Sequence, residues 1–157
     1  MSKRFALPAL TAGLTVTVFT VAASALAGPP ATSSVGVEVQ AQDLTGVAPN
    51  GTPVTLVSVK AVVEGEDASS LTGEIRLFRA GGAHSYAPVT GSLVGDIVTL
   101  SGELTESNIG LVGTPVVLEA NSSSGAITVT LGPRSGGPFV GTTTVFEGFG
   151  KVKVRTS

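Results

Sequence analysis

A chain of 157 residues with a formal net charge of −2 has the length of one ordinary domain and gives no electrostatic footing for nucleic acid. It contains no cysteine, which excludes disulfides, thiolate metal sites and thiol catalysis, and its only methionine is Met1. A single histidine leaves too few ligands for most zinc sites.

Lys3 and Arg4 precede a mostly apolar stretch from Phe5 to Val21, and Ala25-Leu26-Ala27 follows. A basic start, an apolar centre and an A-x-A exit are the parts of a cleavable signal peptide, here residues 1–27. An uncleaved anchor is the competing reading, because the apolar run approaches spanning length. Pro8, the interspersed threonines and the small-residue exit favour cleavage. Without a cysteine the lipid-anchored variant is excluded, and without paired arginines the general secretory route is favoured. The expectation is an exported protein, secreted or held in the periplasm or at the cell surface. Its mature part of about 130 residues needs no covalent staple, since a domain of that size buries most of its apolar surface.

Residues 28–34 read as a flexible lead-in, and residues 35–157 as a single all-β domain. Val35, Val37, Val39 and Ala41 alternate with Gly36, Glu38, Gln40 and Gln42, the period of a strand with one buried face. Ala48-Pro49-Asn50-Gly51-Thr52-Pro53 is turn chemistry. From Val54 to Val63 the parity changes partway. Val54 and Leu56 fit one face, whereas Val57, Val59, Ala61 and Val63 fit the other, so a bulge is predicted near Leu56-Val57. An acidic loop, Glu64 to Ser70, leads to a third strand from Leu71 to Arg79.

One short pattern then recurs three times: Leu71-Thr72-Gly73-Glu74-Ile75, Val89-Thr90-Gly91-Ser92-Leu93 and Leu100-Ser101-Gly102-Glu103-Leu104. Each copy puts its glycine on the apolar face. Gly95-Asp96 between the last two copies is the signal of a two-residue type II′ hairpin. That turn fixes the register. Leu93 opposes Val98, Gly91 opposes Leu100 and Val89 opposes Gly102 on one face, while Ser92 opposes Thr99 and Thr90 opposes Ser101 on the other. A slip of one residue would scramble this sorting.

Ala80 to Ala87 reads as a glycine-rich loop holding His84 and Tyr86. Thr105 to Pro115 is irregular. Val116, Leu118 and Ala120 alternate toward a polar loop at Asn121–Gly125, and Ile127, Val129 and Leu131 return. After a break at Gly132–Pro138, Phe139 to Glu147 reads as one strand and Lys151 to Arg155 as a last one. Eight or nine short strands of this kind predict an antiparallel β-sandwich or a small up-and-down or Greek-key barrel. An outer-membrane barrel is disfavoured: past the signal only Phe78, Phe139, Phe146, Phe149 and Tyr86 are aromatic, too few for two girdles.

Candidate chemistry is sparse. His84 and the many serines lack a G-x-S-x-G elbow, so a solvent-facing loop histidine is the simpler reading. Glu74 and Glu103 could form a glycosidase pair, but glutamates on a solvated strand face are ordinary. Glu64, Glu66 and Asp67 offer oxygen ligands to calcium without the Asp-x-Asp-x-Asp-Gly spacing, so a solvated turn is preferred and no metal is assigned. Asn50-Gly51-Thr52 and Asn121-Ser122-Ser123 match a glycosylation triplet of low specificity.

Lys151, Lys153 and Arg155 gather on one face of the last strand, with Val152 and Val154 turned toward the core. They read either as guards of an exposed sheet edge, the preferred account, or as a cationic strip that binds. The composition implies no cofactor, and no membrane contact once the signal is removed. The expectation is an exported non-catalytic β module with a structural, surface-interaction or assembly role, its partner a protein or a surface polymer. A carrier of a small apolar ligand inside a barrel is the alternative, since inward glycines leave room, and an enzyme of unknown type is the second.

Overall fold

The computed structural model describes residues 33–157, so the predicted signal peptide and most of the predicted lead-in lie outside the described residues. Nine strands follow one another: β1 (Val35–Val47), β2 (Pro53–Gly65), β3 (Leu71–Arg79), β4 (His84–Val94), β5 (Ile97–Glu103), β6 (Glu106–Ser107), β7 (Pro115–Asn121), β8 (Ala126–Leu131) and β9 (Thr144–Thr156). Hydrogen bonding runs in the order β3-β2-β1-β9-β8-β7-β5-β4, and β3 pairs with β4 to close the ring. Every pairing is antiparallel. Of the two expected architectures the barrel is the one formed, with eight strands in the ring and the two-residue β6 added alongside β4. Closure gives each ring strand a neighbour on both sides over at least part of its length, which removes most of the free edge a sandwich would have to protect.

Local chemistry accounts for the turns. Gly95 has φ 58°, and Asp43 is the one non-glycine residue with positive φ among the described residues, so Asp96 keeps a negative φ and the turn is type II′. The register is as the sequence predicts, from Val94 opposite Ile97 to Val89 opposite Gly102. Between β7 and β8, Asn121 Oδ1 accepts the N–H of Ser123 and of Ser124, each at 2.9 Å, an Asx turn that caps the polar loop.

The predicted bulge is present. Leu56 pairs with Arg79 and Ser58 with Phe78, which leaves Val57 out of the β2–β3 ladder. A second irregularity lies across from it in β1, where the register against β9 jumps between Ala41–Gly150 and Thr45–Glu147. Asp43 absorbs that jump with φ 54°, a conformation aspartate tolerates better than most residues. Both strands therefore change inward parity at the same level, from Ala41 to Leu44 in β1 and from Leu56 to Val59 in β2.

Several expectations are corrected. His84 and Tyr86 belong to β4 rather than to a loop, because Ser85, Ala87 and Val89 are small or branched inward residues that continue the alternation. Only Ala80–Gly82 forms a tight helical turn. Phe139 to Thr143 is loop, and the two predicted last strands are one, since Gly148 and Gly150 occupy inward positions of β9 without interrupting it. Ser34, assigned to the lead-in, exchanges backbone hydrogen bonds of 3.1 Å with Ser157 and so extends the β1–β9 ladder.

Alternation sends the apolar residues inward. Phe146, Leu44, Leu56, Ile75, Leu100, Leu118 and Ile127 are fully buried and fill the barrel. Each such side chain contributes about 1.5–3 kcal/mol over its exposed state. The outer positions of β1, β2 and β9 carry Glu38, Gln40, Lys60, Glu147 and Lys153, the reverse of a barrel that faces lipid.

The glycines of the threefold pattern do not leave room inside. A Cβ at Gly73 would run into the carbonyl oxygen of Val62, one at Gly91 into that of Thr99, and one at Gly102 into that of Pro88. At each point the strand bends so closely over its neighbour that no side chain fits. Glycine kinks and paired bulges are the means by which a small sheet curls until its first and last strands meet.

Candidate functional site

The structure places the sequence candidates on different parts of the barrel wall. Lys151, Lys153 and Arg155 project outward from the half of β9 that runs past β8: the β8–β9 ladder ends at Ala126–Phe149, while β1 accompanies β9 on to Thr156. Among the described residues this stretch has a strand on one side only. Val152 packs against the core as expected, but Val154 is 39% exposed. The three cations are not equivalent. Lys153 stands opposite Glu38, and Arg155 lies 3.8 Å from the Glu38 carboxylate, with Glu64 lining the same shallow depression. Lys151 instead pairs across the ladder with Gln40, whose other neighbour is Lys60.

That row forms one wall of an outer groove of about 480 Å³ lined by Gln40, Gln42, Ser58, Lys60, Phe149 and Lys151. Phe149 is 74% exposed there, the most exposed of the chain's large hydrophobic residues among those described. Nothing in the local pattern distinguishes it beforehand, because it alternates outward exactly as Glu147 and Lys151 do.

The remaining candidates stand apart from one another. His84 lies exposed on the outer face, its Nδ1 3.3 Å from the carbonyl oxygen of Gly82, beside Tyr86 and Glu106 in an open depression. Glu74 is ion-paired with Arg76 at 2.7 Å, and Glu103 is exposed at the end of β5, with β4 between the two glutamates. Asp67 serves its own loop. Its Oδ1 accepts the N–H of Ser69 at 2.7 Å and the hydroxyls of Ser69 and Ser70 at 2.6 and 3.1 Å. Those bonds hold its carboxyl below the usual range, so its contribution to the loop is complete above about pH 3.8 and fades as the pH falls through the lowered value. Among the described residues no three of His, Asp and Glu, Glu64, Glu66 and Asp67 included, are grouped as they would be around a metal ion.

A further site escapes sequence reasoning. At the loop end of the barrel, where the β1–β2 and β3–β4 turns meet the loops 108–113 and 132–143, a depression of about 610 Å³ opens. Its wall includes Val54, Ile109, Leu111, Pro138 and Phe139, and its charged residues are Arg79 and Arg134, with no carboxylate in the lining. The backbone fixes both arginines. Arg79 N–H donates to Ala83 O at 2.8 Å across the β3–β4 turn, and Arg134 exchanges bonds of 2.9 Å with Thr142 and Gly141 across its own loop. Ser135 ties that loop to its neighbour by donating its hydroxyl to Val112 O at 2.7 Å.

The Arg134 guanidinium lies 5.5 Å from the centre of the Phe139 ring, and its Nη2 donates to Thr144 Oγ1 at 3.3 Å. Its Nε is buried without a hydrogen-bond partner. A buried donor left unsatisfied costs about 1–3 kcal/mol. Burial, and then the nearby Arg79 charge, push the Arg134 pKa down from its ordinary value. Among the described residues neither arginine is ion-paired, since the salt bridges there are Glu74–Arg76 and Glu38–Arg155. Arg79 ends β3 and Arg134 lies far along the sequence in the 132–143 loop, each in an unremarkable local context, so no spacing announces the pair.

No protein-family model, no curated protein and no solved structure matches the chain.

Proposed function

We propose that the protein is an exported, non-catalytic β-barrel module that works by recognition at its outer surface, its partner an anionic, hydroxyl-rich polymer of the cell surface. The observation that carries this reading is Phe149, 74% exposed in a groove whose polar lining is two amides, a hydroxyl and the ammonium groups of Lys60 and Lys151, with Ala41, Val59 and Gly150 completing it. An aromatic ring left in water on an otherwise polar strand face is the usual anchor of a contact surface, and the polar groups around it form the rim. The lysines supply the attraction and the ring the apolar contact for a sugar face. The polar outer wall supports a module that stays in water.

Of the three cations on β9, only Lys151 enters this reading. Arg155 is ion-paired with Glu38, which also stands opposite Lys153, and Glu64 lines the same depression, which favours a role for both cations in guarding the half-open edge. The carrier alternative finds no support in the barrel interior, where the inward positions hold packed side chains and the glycines mark close backbone crossings.

Retention on immobilised anionic polysaccharide at low salt tests the proposal. The triple variant Lys60→Ser/Phe149→Ser/Lys151→Ser should lose about tenfold in affinity, the equivalent of roughly 1.4 kcal/mol. The double variant Lys153→Ser/Arg155→Ser should retain it. Equal retention of the triple variant and the parent chain would remove the groove as the contact site.

A further inference from the structure

We infer that the loop end of the barrel is a binding site for a small amphiphilic anion, a carboxylate carried on a compact apolar body, held between Arg79 and Arg134. This goes beyond the surface reading and does not depend on it, because none of its residues belongs to the outer groove.

Charge is the first ground. Two guanidinium groups line one depression that contains no carboxylate, on a chain whose formal net charge is −2. Glu103, whose carboxylate lies toward Gly113, bridges neither of them. Like charges held near each other repel, and a bound anion relieves that repulsion.

Hydrogen-bonding capacity is the second. Of the five N–H donors of Arg134, one meets Thr144 Oγ1 and the Nε–H is buried unsatisfied. Arg79 donates from its guanidinium to no protein acceptor among the described residues, although its backbone is fixed by the turn. A guanidinium fork matches a carboxylate in two parallel bonds, and here one fork is already oriented by Phe139 on its face and Thr144 at its tip. An arginine that served only to lock its loop would account for Arg134, but not for Arg79 beside it.

The lining decides the rest of the ligand. Val54, Ile109, Leu111, Pro138 and Phe139 give the depression an apolar wall, and Ile109 is 40% exposed where that wall is uncovered. An inorganic ion would meet the arginines and leave this wall in water. A short acyl or aryl carboxylate covers both.

Titration of the purified chain with octanoate, octanamide and inorganic phosphate tests the inference by calorimetry. Octanoate is expected to bind saturably at one site, with octanamide and phosphate each weaker by about tenfold or more. Arg79→Gln should weaken octanoate by a similar factor without shifting the ligand-free melting temperature, since its side chain holds nothing in place. Lys60→Ser/Lys151→Ser should bind octanoate like the parent, which keeps this result separate from the fate of the outer groove. Absence of saturable octanoate binding, equal binding of octanamide, equal binding of phosphate, or an Arg79→Gln variant that binds normally would each overturn the assignment.

Discussion

At the scale of single residues, the glycines of the threefold pattern do work that their place on the apolar face only half discloses. Alternation assigns Gly73, Gly91 and Gly102 the same parity as the inward residues, and pairing Gly91 with Leu100 suggests that the leucine fills the space. The structure adds that there is no space to fill. A Cβ on Gly91 would meet the Thr99 carbonyl, with Leu100 Cδ2 at 2.8 Å and Leu100 Cα at 2.9 Å. Two of those three atoms are backbone, so rotating a side chain gives no relief. Gly91→Ala should therefore destabilise the barrel by about 1–3 kcal/mol, the range for overpacking, although it adds a single methyl. Urea unfolding measures it, and an unchanged midpoint would mean that the strand can straighten at no cost. Arg79 and Arg134 are the opposite case, for each has an innocuous local context and only the fold makes them a pair. Sequence reasoning finds residues whose role is set by their neighbours in the chain.

Among the elements, the central hairpin was legible down to its register, because a two-residue turn allows one pairing and the hydroxyls sort cleanly under it. The β2 bulge was legible too, as an offset between two runs of apolar residues. Its companion at Asp43 went unread, although Ala41 followed after two polar residues by Leu44 is an offset of the same kind. β9 was divided in two because Gly148-Phe149-Gly150 resembles a break in one dimension. In the barrel both glycines sit where β1 and β8 press closest, Gly148 against Leu44 and Gly150 against Ala41 and Ile127. The end of β9 also gives the cations a role to test. Past Phe149 it has β1 on one side only among the described residues, and an open edge invites pairing with another chain unless charge opposes it. Lys153→Ser/Arg155→Ser should shift the protein toward dimers in sedimentation at micromolar concentration and leave its melting temperature nearly unchanged. A variant that stays monomeric would assign those two cations to something other than edge protection.

For the whole molecule, sandwich and barrel share the same alternation, turns and strand count, so the sequence pattern leaves them level. What separates them is one long-range ladder, β1 against β9, which joins the two ends of the described chain from Val35–Thr156 to Gly46–Phe146. Nothing local specifies that pairing; it follows once the kinks and bulges have curled the intervening strands enough for the ends to meet. Closure has a thermodynamic consequence. Chain ends ordinarily fray, and their amides exchange with solvent at little cost in free energy. Here the terminal strands complete the ring and contribute Val37, Val39 and Phe146 to the same core as Leu100 and Leu118 of the central strands. Opening the β1–β9 ladder would uncover that core along its length, so the ladder should open only when the barrel unfolds. Native-state hydrogen exchange should then give the Val39 and Phe146 amides the same opening free energy as those of Leu100 and Leu118, within the roughly 5–15 kcal/mol expected for a domain. Protection several kcal/mol lower in β1 and β9 than in β5 and β7 would show instead a curled sheet whose seam opens by itself.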